Sequence, residues 1–166
     1  MMGRYANKNL TEECGCISVQ MLNENGCFAG DCYVGEMTWT WSAMGFKNES
    51  IALIIYSGKE GEEYMQLQYT FENQFAEVQA EFDYKVMFER VPCNLGGYRR
   101  WFICPLVKDG EICGRRIGKL YLPPDSFLGY FGCRHCYELT YLSSRESHKY
   151  DAFDRKFGVG MLSDYV

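Results

Sequence analysis

Residues 99–136 read RRWFICPLVKDGEICGRRIGKLYLPPDSFLGYFGCRHC, and the four cysteines in that stretch decide how the last third of the chain folds. Cys133 and Cys136 form a C-x2-C knuckle, with Gly132 immediately before it. Cys113 is followed by Gly114. A glycine beside a ligand cysteine permits positive φ, which turns backbone N–H groups toward the thiolate sulfurs. Two such knuckles, about twenty residues apart, have the separation of a zinc ribbon and place four sulfurs around one tetrahedral Zn2+. The first knuckle is expanded, because eight residues separate Cys104 from Cys113. Leu106 to Ile112 (LVKDGEI) reads as an inserted hairpin turning at Asp109-Gly110. Four thiolates leave no open coordination position, so the single zinc expected at Cys104, Cys113, Cys133 and Cys136 is structural. Two other readings stay open: four buried free thiols, or Cys93 or His135 replacing one ligand. Cys14, Cys16, Cys27 and Cys32 form a looser C-x-C plus C-x4-C set. It reads either as a second metal site or as small core residues and surface thiols.

Upstream of this stretch the pattern is that of strands. Met37, Trp39 and Trp41 alternate with polar residues, as do Met65, Leu67, Tyr69 and Phe71, and again Phe82, Tyr84, Val86 and Phe88. A period of two marks strands with one face buried. Ile51 to Tyr56 (IALIIY) is an unbroken apolar run expected at the centre of the sheet. In order, these four runs predict an antiparallel meander with one wet face. Residues 1–16 read as a polar arm, and Ile17 to Leu22 as one short helix or a strand. Beyond Pro92, residues 99–103, 117–122 and 127–131 are short strand candidates, with Trp101 and Phe102 packing where the two parts meet. Ser143 to Glu146 has the form of a capping box. Tyr150, Phe153 and Phe157 after it fall on one face of a helix. The expected fold class is therefore mainly β with minor α. An acidic antiparallel β-rich domain (1–92, with a short N-terminal arm) leads into a four-cysteine zinc ribbon (93–143) and a C-terminal helix and tail (144–166).

Composition narrows the function. The chain has 166 residues, of which 47% are apolar and 16% aromatic, enough to bury a core and too many for a disordered chain. No apolar run is long enough to span a membrane, and MMGRYANKNLTEE at the start lacks a secretory signal pattern. Nine cysteines in that setting read as reduced thiols or metal ligands of a cytoplasmic protein. Residues 1–92 hold six Lys/Arg against fourteen Asp/Glu, and residues 93–166 hold eleven against eight. Four thiolates around one Zn2+ take the second part down to about +1. Contact with a phosphate backbone must then come from a local patch rather than from bulk charge.

The run VPCNLGGYRRWFICP, then CGRR, then KLYLPP, then YFGCRHCYELTYLSSRES resembles a bacterial and phage zinc-ribbon protein family. Its members carry a PC-x-x-GG-x-R-x-WF-x-CP segment, a CGRR knuckle and a CRHCY-x-LTY-x-S-x-RE close. The resemblance covers roughly residues 91–147, and Trp39 and Trp41 fit the same pattern more weakly. It implies that Cys104, Cys113, Cys133 and Cys136 are the zinc ligands, and it implies a mobile-element setting. The chain departs from the family in its expanded first knuckle and in a less basic tail after Glu146.

Around the cysteines, Arg99, Arg100, Arg115, Arg116, Lys119 and Arg134 interleave with Tyr98, Trp101, Tyr121 and Tyr137. Such a mixture is suited to stacking on bases and contacting phosphate; it also suits aromatics that pack the ribbon beneath solvated arginines. Arg145, Lys149 and Lys156 share a stripe of the expected helix, which reads as a solvated face. Glu60, Glu62, Glu63, Glu72, Glu77, Glu81 and Asp83 form an acidic region that suits either solubility or docking on a basic partner. Neither His135 nor His148 is placed by sequence beside a free thiol, and no phosphate loop or H-E-x-x-H helix is present. Asn94 to Gly97 reads as a tight turn. The expectation is a non-enzymatic zinc-ribbon protein, with no membrane and no small-molecule substrate, that binds nucleic acid or a nucleoprotein. The alternative is a phage or mobile-element inhibitor that docks its acidic domain on a host defence nuclease complex.

Overall fold

The computed structural model describes residues 9–39, 49–58, 61–73, 78–124, 126 and 129–144. Its strands are β1 (Gly15–Ser18), β2 (Cys32–Trp39), β3 (Glu49–Tyr56), β4 (Tyr64–Asn73), β5 (Val78–Pro92), β6 (Tyr98–Ile103), β7 (Val107–Lys108), β8 (Glu111–Ile112), β9 (Arg116–Ile117) and β10 (Lys119–Leu122). One helix, α1 (Val19–Glu24), follows β1, with 3-10 turns at Thr11–Glu13 and Leu142–Ser144. The described residues are mainly β, every named strand pair is antiparallel, and helix is scarce. Among them no helix is long and apolar enough to cross a membrane.

The principal sheet has the order β2-β3-β4-β5-β6-β9. Its first four strands form the expected meander, and β3 lies inside it between β2 and β4. Alternation sets the register. Leu53 faces Leu67, Ile55 faces Met65 and Met65 faces Val86, all of them buried. A one-residue slip would turn this whole set to solvent. The opposite face is wet, with Gln66 and Gln68 donating to Asp83 at 2.5 and 3.0 Å. Phe88 faces Phe102 across β5 and β6, and their rings stack at 5.1 Å. The sheet therefore continues from the acidic strands into the cysteine-rich segment, with Phe102 fully buried at the join.

The buried face is covered by elements from both ends of the described chain. Ile17 of β1, Leu22 of α1, Leu120 and Leu122 of β10, and Phe131 all enter the same cluster as Leu53 and Met65. The segment read as a polar arm is structured from Thr11 onward. Thr11 N–H donates to Thr140 carbonyl, Thr140 N–H to Asn9 carbonyl, and Gly15–Ser18 pair with Lys119–Leu122. Residues 17–22 are neither one helix nor one strand: Ser18 ends β1 and caps α1, its hydroxyl accepting from Met21 N–H at 3.0 Å.

Two strand expectations are corrected. Residues 117–122 are split at Gly118, because β9 pairs with β6 whereas β10 pairs with β1. The change of sheet is anchored where Val19 N–H donates to Gly118 carbonyl. Of the run 127–131, residues 129–131 lie outside any strand. Phe131 is fully buried from this loop while Tyr130 is exposed, and an apolar run alone does not distinguish such a loop from a strand. Phe131 N–H donates to the Tyr84 hydroxyl at 2.8 Å and Tyr69 hydroxyl donates to Gly129 carbonyl at 2.5 Å. Trp41, residues 127 and 128, Glu60, Glu77 and the expected C-terminal helix with its capping box (from Arg145 on) fall outside the described residues.

Candidate metal centre

Cys104 follows β6, Cys113 follows β8, and Cys133 and Cys136 flank a turn that follows residues 129–131. Their four sulfurs all lie within 4.8 Å of one another. Cys104 Sγ is 4.0 Å from Cys136 Sγ, and Cys113 Sγ is 3.8 Å from Cys133 Sγ. Disulfide sulfurs sit about 2.05 Å apart, so these are separate thiol sulfurs. A tetrahedral ion with bonds of about 2.3 Å to sulfur has ligand–ligand edges of about 3.8 Å. The cluster therefore has the dimensions of a four-sulfur site that could hold a metal ion.

The expanded knuckle closes by a local device. Cys113 N–H donates to Leu106 carbonyl at 2.8 Å, and Gly114 N–H to Cys104 carbonyl at 3.2 Å. These bonds pinch off β7 and β8 as a hairpin whose turn residues, Asp109 and Gly110, have φ of 56° and 85°. Positive φ at both turn positions is the geometry that matches strand twist, and Asp-Gly supplies it. With residues 107–112 looped out, Cys104, Pro105, Leu106 and Cys113 act as a C-x2-C unit.

The two glycines serve different ends. Gly114 has φ of 59°, as expected of a knuckle glycine. Gly132 is not among the positive-φ residues. It is needed for space: a Cβ there would lie 2.0 Å from Leu106 Cδ1, so the two knuckles press together where Gly132 has no side chain. Backbone amides support the sulfurs, with Cys133 N–H donating to Cys104 Sγ and Cys136 N–H to Cys133 Sγ, both at 3.3 Å. The contact with the Cys104 thiol holds Cys133 far below the ordinary thiol range, to about 4. The reciprocal contact with Cys133, together with burial, pushes Cys104 up. Burial and the Cys113 and Cys133 thiols push Cys136 up to about 12. Neighbouring thiols oppose one another's ionisation, so four adjacent thiolates need a positive ion to coexist.

Among the described residues this is the one group of three or more Cys, His, Asp or Glu able to share an ion. Cys93 and His135 are exposed and outside it; Cys93 instead closes the tight turn read at 94–97, its N–H donating to Gly97 carbonyl. Cys14, Cys16, Cys27 and Cys32 are not brought together. Cys14 donates to Leu10 carbonyl, Cys27 is buried in the main core, and Cys32 is exposed.

The six basic residues are distributed unevenly. Arg99 lies over the Trp101 ring at 4.8 Å, and Arg134 over Tyr141 at 4.8 Å. Arg116 meets Glu89 at 3.5 Å on the surface, and Arg115 is exposed. Arg99, Arg100 and Lys119 line one groove with Tyr98 and Trp101; the other three are not part of its lining. Sequence reasoning missed why Arg100 points as it does. Glu63, grouped above with the acidic surface, is 1% exposed and held by both Arg90 and Arg100. Burial alone raises its carboxyl, but the two guanidiniums outweigh this and hold it below the usual range. Glu62 beside it is exposed, and Glu81 and Asp83 remain on the wet face. The signal that separates Glu63 from Glu62 is parity, since Glu63, Met65 and Leu67 share the buried side.

The chain was compared with known protein families, with characterised proteins and with solved structures, and none of them matches it.

Proposed function

We propose that Cys104, Cys113, Cys133 and Cys136 hold one structural Zn2+ in a zinc-ribbon centre. In this reading the protein is non-enzymatic and binds nucleic acid or a nucleoprotein through the Arg/aromatic surface beside that centre. The observation that carries the metal assignment is the grouping of four sulfurs, with edges of 3.8 and 4.0 Å that suit zinc–thiolate bonds. An all-sulfur donor set favours zinc over hard cations such as Mg2+ or Ca2+. With all four positions taken by protein, bound zinc stabilises the fold and leaves no place for a reacting water.

Binding rests on cations that lie over aromatic rings, the exposed Arg99 on Trp101 and the half-buried Arg134 on Tyr141. Stacked guanidiniums of this kind present both a flat face for bases and N–H donors for phosphate. Native mass spectrometry of the purified chain tests the first part, with one zinc per chain expected. Gel shifts across a salt series test the second. Binding should weaken as salt rises and on replacing the surface arginines; a chain that shifts no nucleic acid at low salt refutes it.

A further inference from the structure

We propose that the groove between α1 and β6 holds one unpaired nucleotide of a single-stranded nucleic acid; this rests on the nucleic-acid reading above and gives it a place and a substrate class. The groove arises from the change of sheet at Gly118. β9 pairs with β6 at Phe102 and Ile103 only, and the chain then leaves to pair β10 with β1. Tyr98 to Trp101 therefore have β5 on one side and, among the described residues, no strand on the other. α1 faces that open edge and leaves a groove of about 420 Å³.

Its chemistry is unlike the rest of the chain. Arg99, Arg100 and Lys119 line it and, among the described residues, no carboxylate does, although the whole chain carries a net charge of −5. Arg100 is set in place from behind: Glu63 binds it together with Arg90, and its guanidinium lies 4.4 Å from the Phe28 ring centre. Tyr98, 60% exposed, and Trp101, beneath Arg99, supply flat apolar faces on the same strand. Asn23 and Gln20 line the α1 side, Gln20 with its amide N–H donating to Glu24 at 2.8 Å, and base edges can be met there. Cations for a phosphate, rings for a base and a volume that suits one nucleotide unit occur together. Bases inside a duplex do not offer their faces, so a single strand is the form that uses all three.

The test is fluorescence anisotropy of a labelled short oligothymidylate and of a duplex of equal length, titrated with the metal-loaded full chain between about 50 and 200 mM salt. The single strand should bind about tenfold tighter than the duplex or better. Arg99→Ala and Lys119→Ala should each lower the salt slope by about one. Tyr98→Ala and Trp101→Leu should each weaken binding by about tenfold with the slope unchanged. Tyr98→Phe should restore the stacking loss. If Trp101→Leu does not fold, Tyr98→Ala at its exposed site carries that part alone. Binding that survives the groove variants but falls with Arg115→Ala, Arg116→Ala or Arg134→Ala overturns the groove and leaves the nucleic-acid reading standing. Equal affinity for duplex overturns the single-strand assignment. A polyglutamate peptide that binds more tightly than the oligonucleotide, with the same groove dependence, overturns the nucleotide assignment and gives the open β6 edge to acidic peptides instead. No binding of either nucleic acid at low salt overturns both the groove and the reading beneath it.

Discussion

If the four cysteines hold zinc as proposed, stripping it should unfold one part of this protein and spare another. The main core is a contiguous cluster that includes Leu53, Leu67, Val86, Phe102 and Phe131. The cluster around the sulfurs is small: Leu106 is its one buried aliphatic side chain, beside Cys104 and Cys133. Burying Leu106 contributes about 2 kcal/mol, whereas a structural zinc in a thiolate site contributes about 10–16 kcal/mol. On the proposed zinc reading the ion's share is several times that of Leu106, and the knuckles should lose their order without it. The main cluster contains none of these four cysteines, so β3 to β5 should persist. Hydrogen exchange on the zinc-loaded and chelator-treated chain reads this directly. Protection should vanish at the amides of Cys113, Gly114, Tyr137 and Leu139, which bond within the knuckles. It should remain in β3, β4 and β5. Residues 129–131 should hold an intermediate position, since Tyr69 and Tyr84 tie them to the sheet. Unchanged protection at Cys113 and Tyr137 after metal loss refutes the dependence on an ion, and collapse of β3 to β5 refutes the separation of the two cores.

Gly132→Ala should impair metal retention although it alters no ligand, because the added Cβ meets Leu106 at 2.0 Å; a chromogenic zinc-release assay should show faster loss, and pairing with Leu106→Ala should restore part of it. Glu63→Gln should cost about 3 kcal/mol, since it leaves Arg90 and Arg100 without their buried carboxylate, while Glu62→Gln should be nearly neutral in the same urea titration. The Glu63 carboxyl is held below its ordinary value. Its stabilisation is therefore present at neutral pH and lost as pH falls below about 4 through the depressed folded value, a decline the Glu63→Gln chain should lack. Tyr84→Phe removes the acceptor of Phe131 N–H and should lower stability by about 1–3 kcal/mol with an unchanged denaturant slope.

Much of this architecture can be read from the residues, and the rest has physical reasons for being hidden. The meander is legible because Met65, Leu67 and Tyr69 alternate against a single buried face. The cysteine cluster is legible because a C-x2-C knuckle and its glycine leave a local mark even when a hairpin interrupts the partner. The β1–β10 pair is not, because pairing between distant segments leaves no local period. Residues 129–131 mislead because a loop bonded to Tyr69 and Tyr84 buries Phe131 as a strand would. Glu63 misleads because composition counts charge without asking which way a side chain points. The six basic residues can be found as a set but not partitioned, since their grouping depends on where the chain leaves one sheet for another at Gly118.

That departure also bears on how the protein is made. Gly15–Ser18 pair with Lys119–Leu122, and Leu10 bridges to Thr140, so a segment synthesised early waits for partners synthesised much later. Closing so long a loop has an entropic cost that only late contacts offset. During synthesis the meander can assemble while Ile17 and Leu22 stay without their covering partners, and the apolar face is closed only once Leu120, Leu122 and then Phe131 have emerged. Shortening the nascent chain before Leu122 should therefore leave a sticky, chaperone-dependent intermediate rather than a smaller stable domain.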